Sequence, residues 1–99
     1  MKKETLGSYL YKHCYGKEKD TSAAVLERSL HCSGNELRRQ VNRLRCENIP
    51  IASDSNGYYF AANAAELYAT IRSLERMRHG LDRAIDGLEK SMSHFEVGN

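Results

Sequence analysis

The chain has no hydrophobic run approaching the ~18 apolar residues that would cross a bilayer, and Met1-Lys2-Lys3 is not followed by the continuous apolar stretch of a signal peptide. A cytoplasmic protein with no membrane partner is the expectation. Its cysteines, Cys14, Cys32 and Cys46, are odd in number and hold no CxxC spacing, which argues against a disulfide framework and leaves reduced thiols. There is no glycine-rich phosphate loop, no nucleophile elbow and no spaced pair of carboxylates with obvious enclosure. The chain therefore does not read as an enzyme, and no cofactor is expected. His13-Cys14, His31-Cys32 and Cys46 offer imidazole and thiolate, but their spacings match no zinc ligand pattern, so no metal site is expected either. The net charge is only +2, too little to argue for a polyanionic partner on its own.

With 99 residues, 40% hydrophobic and 28% charged, the chain has the size and composition of one folded domain. Its charge is unevenly placed. Residues 33–46 carry four arginines against one glutamate, whereas residues 64–99 carry five basic and six acidic side chains. The positive charge thus concentrates on Ser33-Gly34-Asn35-Glu36-Leu37-Arg38-Arg39-Gln40-Val41-Asn42-Arg43-Leu44-Arg45. Ser33 and Glu36 have the spacing of a capping box, which starts a helix at about Gly34. Leu37, Val41 and Leu44 make one apolar stripe, and at ~100° per residue Asn35, Arg39 and Asn42 point away from it, flanked by Arg38 and Arg43. Arginine and asparagine pair bidentately with guanine and adenine. On an isolated helix such a face also reads as ordinary solvated charge, so its setting in the chain matters.

Upstream, Leu6, Tyr9, Leu10 and His13 lie at helical spacing within Glu4 to Cys14, and Tyr15 to Asp20 supplies a polar loop. Thr21 or Ser22 can cap a second helix through about His31, with Ala23, Leu26 and Leu30 on its buried face. The break at Cys32-Ser33-Gly34 is short, so the second and third helices meet steeply, as in a helix-turn-helix. Asn48 is a helix stop, and Pro50 disfavours helical geometry at Ile49. Ile49-Pro50-Ile51-Ala52 reads as extended, Ser53 to Gly57 as a turn in which Asn56-Gly57 is a hairpin signal because both residues tolerate positive φ, and Gly57 to Ala61 as a returning aromatic strand. Cys46 projects on the exposed side of the third helix, a candidate redox-sensitive thiol.

Leu30-His31-Cys32-Ser33, the run Leu37 to Arg45, Ile49-Pro50-Ile51 and Gly57-Tyr58-Tyr59-Phe60 together resemble the winged helix-turn-helix of bacterial and phage regulators, with the biotin-repressor-like and DeoR-like N-terminal domains as the nearest patterns. The resemblance covers about residues 5–62. It implies that Asn35, Arg38, Arg39, Asn42 and Arg43 face the major groove of double-stranded DNA. It also implies a wing tip at Asp54 to Gly57, with Ser55 and Asn56 at the duplex.

Asn63 can cap a further helix from Ala64. Within it Leu67, Ile71, Leu74, Arg78, Leu81, Ile85, Leu88 and Met92 alternate by four and three, the seam of a two-stranded coiled coil. A helix over residues 64–92 is about 43 Å long at ~1.5 Å per residue, more than the preceding domain can cover. Homodimerisation through these eight residues is expected, against the alternative of a helix folded back on its own domain. A parallel pair sets Arg78 against Arg78, and an antiparallel pair brings Glu75 and Asp82 together, so both orientations stay open.

The expected architecture is mainly α with a small β-hairpin: a winged helix-turn-helix over residues 1–62, then a long C-terminal coiled-coil helix and short tail over residues 63–99. The expected function is sequence-specific DNA binding by a homodimeric transcriptional regulator. The alternative is a winged-helix module that docks on a larger replication, recombination or transcription complex.

Overall fold

In the computed structural model, which describes residues 5–96, capping side chains fix most helix starts. Glu4, the expected start of the first helix, the rest of residues 1–4 and the tail residues 97–99 lie outside the described residues. Thr5 accepts the Ser8 N–H and opens α1, Leu6–His13; Ser22, rather than Thr21, accepts the Val25 N–H and opens α2, Ala23–Leu30. Ser33 does the same for α3, Gly34–Cys46, and Asn63 for α4, Ala64–Ser91. Each satisfies one of the N–H groups that a helix leaves without an internal partner. A short 3-10 turn, Lys17–Lys19, lies between α1 and α2, and α5, Ser93–Glu96, follows α4. His31 ends α2 in the left-handed region at φ 55°, and Asn48 follows α3 at φ 70°, at the stop expected from the sequence. The result is three helices, a two-stranded hairpin and a long helix, a winged-helix-like arrangement. Among the described residues no helix is long and apolar enough to cross a membrane.

The hairpin pairs β1, Ile51–Asp54, with β2, Gly57–Phe60, antiparallel, Ile51 opposite Phe60 and Asp54 opposite Gly57. Ser55 and Asn56 are therefore the turn residues. Of the turn pair Asn56-Gly57, both tolerant of positive φ, only Gly57 adopts it, at φ 153°. Asp54 closes the turn from its side chain: its Oδ1 accepts the Asn56 and Gly57 N–H groups at 2.9 and 3.0 Å. β1 also runs through Ser53 and Asp54, which were expected in the turn, because Ser53 is held on both its backbone groups. Its N–H donates to Thr70 Oγ1 at 3.0 Å, and its carbonyl accepts the Thr70 hydroxyl at 3.2 Å.

The outer edge of β2 is not left open. Tyr58 exchanges two backbone hydrogen bonds with Thr21, at 2.8 and 2.9 Å. Phe60 donates to the Cys14 carbonyl and accepts from the Gly16 N–H, both at 2.8 Å. The loop between α1 and α2 thus bridges this edge twice, parallel at Tyr15 and antiparallel at Thr21, and covers an edge that would otherwise be a template for foreign strands. The approach is close enough that a β-carbon on Gly57 would fall 1.9 Å from the Thr21 carbonyl oxygen.

The core gathers under this sheet: Leu6, Leu10 and Cys14 from α1 and its end, Leu26 from α2, Leu37 and Val41 from α3, and Ile51, Ala52, Tyr59 and Ala61 from the hairpin region. Of the expected α2 face only Leu26 is fully buried; Ala23 and Leu30 pack at the margin. α4 joins through its first turns alone. Leu67 packs against the core and Thr70 is buried, whereas Leu81 and Leu88 are 63% and 70% exposed. The helix does not fold back on the winged unit, and the molecule extends 62 × 33 × 23 Å.

Gly57→Ala combines an unfavourable φ with a backbone collision, and should cost at least ~2 kcal/mol of stability in urea unfolding. Thr70→Val keeps the shape of the side chain but strands the Ser53 N–H and carbonyl, and should cost about 1–3 kcal/mol by the same measurement.

Candidate nucleic-acid interface

α3 is held to the rest of the fold along its stripe. Leu37 and Val41 are buried and Leu44 is partly so, as the i, i+4, i+7 spacing requires. Asn35, Arg38, Arg39, Asn42 and Arg43 stand clear of this stripe, and the wing-tip residues Ser55 and Asn56 are exposed. A shallow polar depression of about 360 Å³ runs along this face, lined by Glu36, Arg39, Gln40, Asn42 and Arg43.

The side chains on the face are engaged with one another. Arg39 Nη2 meets Glu36 Oε1 at 2.6 Å, and Gln40 Nε2 donates to Glu36 Oε2 at 3.2 Å. Arg38 Nη2 donates to Asn35 Oδ1. Those bonds overturn half of the expected capping box: Ser33 accepts the Glu36 N–H at 3.1 Å, but the Glu36 carboxylate turns to Arg39 and Gln40 instead of back to the helix start. Hydrogen bonds from Arg39 and Gln40, with the charge of Arg39, lower the Glu36 pKa below the usual carboxylate range. A second carboxylate, Glu27 of α2, has Oε2 3.3 Å from where a β-carbon on Gly34 would lie. The positive end of the α3 dipole therefore has an anion beside it from within the fold.

No family model, no curated protein and no solved structure matches this chain.

Of the four arginines that make α3 basic in the sequence, Arg45 is not part of the exposed face. Its Nε donates to the Ile51 carbonyl at 2.8 Å and its Nη2 to Ser53 Oγ at 3.2 Å, so it ties the end of α3 to β1. Burial pushes its pKa down, with Tyr58 acting weakly the other way. A spacing argument could have found it, since Arg45 follows the buried Val41 by one helical turn.

The wing tip carries no lysine or arginine, and the fold brings a second acid to it. The hydrogen-bonding contact with Asp54, then burial and the Asp54 charge, raise the pKa of Asp20, while Asn56 and Lys17 oppose them less strongly. Burial pushes Asp54 up, but hydrogen bonds from Asp20 and from the Asn56 and Gly57 N–H groups outweigh it and hold Asp54 low. Asp20 is remote in sequence and arrives through the Thr21 pairing with β2, so nothing local announces it. The cysteines are spread out: Cys14 is buried, Cys32 half-buried and Cys46 exposed on α3. Burial and the charge of Asp20 raise the Cys14 pKa, which keeps it a core thiol. Among the described residues no three His, Cys, Asp or Glu side chains come together as metal ligands would.

The tyrosines divide in the same way. Tyr59 is buried, whereas Tyr11 and Tyr15 form an aromatic group at the surface with Phe60, Tyr15 stacked on Phe60 at 5.8 Å between centroids. Beyond the winged unit, Ile71, Leu74, Leu81, Ile85, Leu88 and Met92 are exposed along α4 and just past its end, joined by Met77 and Phe95. Leu67, first in the expected seam, is partly taken up by its own domain.

Arg45→Met removes two hydrogen bonds to β1 while leaving the exposed face intact. Urea unfolding should show a loss of about 1–3 kcal/mol.

Proposed function

We propose that this protein binds double-stranded DNA as a homodimer, with α3 in the major groove, in the manner of the winged helix-turn-helix regulators that its sequence resembles. The observation that carries the reading is the outward face of α3. Five side chains suited to phosphates and base edges, Asn35, Arg38, Arg39, Asn42 and Arg43, stand exposed on one side of the helix that follows the left-handed turn at His31. Asn35, Arg39 and Asn42 lie at the centre, the position for base edges, and Arg38 and Arg43 at the margins, the position for phosphates. The pairs Arg39–Glu36 and Arg38–Asn35 hold the free side chains, and DNA has to exchange these exposed bonds for its own. An exposed ion pair of this kind is worth under ~1 kcal/mol, so the exchange costs little. The wing, with Asp54 and Asp20 at its tip, adds little to the attraction. Two copies joined through α4 would read half-sites about one duplex turn, ~34 Å, or a multiple of it apart.

Titration into random-sequence duplex at low salt should show association that weakens steeply as salt rises. Arg43→Ala should reduce the slope of that dependence by about one, and Arg39→Ala should cost about 1–3 kcal/mol on a selected site. No association at low salt, or association without a salt slope, removes the DNA reading.

The acidic wing tip favours a second reading, a winged-helix module docked on a larger protein complex. It expects negligible affinity for duplex and a stable protein partner.

A further inference from the structure

We propose that α4 pairs with α4 of a second copy in antiparallel orientation, in the register that sets Leu67 against the partner's Met92. The proposal rests on reading α4 as the dimer seam and adds its direction. The steps between Leu67, Ile71, Leu74, Arg78, Leu81, Ile85, Leu88 and Met92 read the same from either end. Antiparallel pairs match an a position of one helix with a d position of the other, so that symmetry creates four kinds of layer, each made twice. Leu67 meets the partner's Met92, Ile71 the partner's Leu88, Leu74 the partner's Ile85, and Arg78 the partner's Leu81. A shift by one heptad leaves apolar seam residues of both copies in water, so this register buries the most.

Charge decides the direction. A parallel pair places the two Arg78 side chains in the same layer of the seam, where like charges lose water and face each other. On a helical wheel the e positions are Tyr68, Glu75, Asp82 and Glu89, and the two nearest Arg78, Glu75 and Asp82, lie beside its a position on the same edge. In an antiparallel pair the e edges of both helices meet. Arg78 and the partner's Arg78 then lie, ~5 Å apart along the axis at ~1.5 Å per residue, on an edge that also carries Glu75 and Asp82 of each copy. Two cations among four carboxylates offset both the arginine repulsion and the carboxylate repulsion that either group alone would bring.

The base of α4 supplies a third observation. Ile49 and Pro50, with Leu67, Ile71 and Leu74, line an apolar groove of about 360 Å³ that opens onto the seam. In the antiparallel register the partner's Leu88 and Met92 arrive opposite Ile71 and Leu67, at the mouth of that groove. Leu88 and Met92 are large apolar side chains left mostly in water, at 70% and 56% exposure. Each copy thus covers the other's groove with the end of helix farthest from its own winged unit.

Spin labels at two equivalent outward positions read the direction. In the full chain with Cys32→Ser and Cys46→Ser, labels on Arg83→Cys and, separately, on Lys90→Cys lie at the same heptad position. In the antiparallel pair their axial separation across the dimer is about 10 Å at residue 83 and about 32 Å at residue 90, at ~1.5 Å per residue. The measured distance should therefore lengthen by roughly 10 Å or more between the two variants. Equal distances would mean a parallel pair and overturn the proposal, as would a wild-type chain that sediments as a monomer at micromolar concentration. Leu81→Lys should sediment as a monomer and give no intermolecular distance. None of these measurements contains DNA, so a failed duplex titration leaves the orientation standing, and a parallel result leaves DNA binding standing.

Discussion

The backbone hydrogen bonds that Tyr58 and Phe60 make outward from β2, with Thr21, Cys14 and Gly16, hold the rest of the winged unit in place. A two-stranded hairpin by itself is marginal in water, and β1 and β2 are four residues each. The loop between α1 and α2 braces the hairpin's outer edge through two isolated bridges. It also fixes the path between α1 and α2. Ser22, which caps α2, is the next residue after the paired Thr21, so the start of α2 is set by the sheet. α2 then ends in the left-handed turn at His31, and that turn aims α3. Gly57 is the point on which this chain of positions turns, because a side chain there would push Thr21 away.

Three groups that look like ordinary exposed polar side chains in the sequence act as fasteners, two between layers and one within the hairpin turn. Arg45 binds β1 from α3, Thr70 binds β1 from α4, and the Asp54 side chain binds its own turn. Each satisfies backbone groups next to the apolar core, where an unmade hydrogen bond costs more than a made one returns. The outward face of α3 follows the opposite rule. Its side chains pair with neighbours on the same helix, in water, where the pairs are weak and can be exchanged.

Features that depend on neighbours in sequence are legible in the chain itself. Ser33 and Asn63 as caps, the stop at Asn48, the buried Leu37 and Val41, and the start of α4 at Ala64 all follow from spacing within one or two turns. The same holds for the outward placement of Asn35, Arg39 and Asn42, which is the complement of that apolar stripe. Features that depend on remote neighbours are not legible. The pairing of residues 14–21 with β2 has no alternating apolar pattern to betray it, and it carries Asp20 to the wing tip without any local sign. Thr70 occupies a seam-flanking position that reads as exposed until the hairpin is placed beside it. Arg45 is an intermediate case: charge groups it with the other arginines, while its place one helical turn after Val41 puts it on the covered side, and only the fold supplies its partners on β1. Gly57 is legible as a turn residue, but the proximity of Thr21, which also requires glycine there, is not.

The attachment of α4 also governs angular precision. Between Thr70, where the helix is fastened, and Ser91, where it ends, lie about 21 residues or about 32 Å of unsupported rod at ~1.5 Å per residue. A tilt of ~10° at the fastening would swing the far end by about 5 Å, close to one helical pitch and enough to take any side chain there out of register. The aim of the whole rod therefore rests on its first turns: the Thr70 hydroxyl, which both donates to and accepts from Ser53, Leu67 against the core, and Glu66, which accepts the Lys17 N–H at 3.1 Å. Such a joint resists tilting in two directions at once, which a lone apolar contact, free to slide, does not.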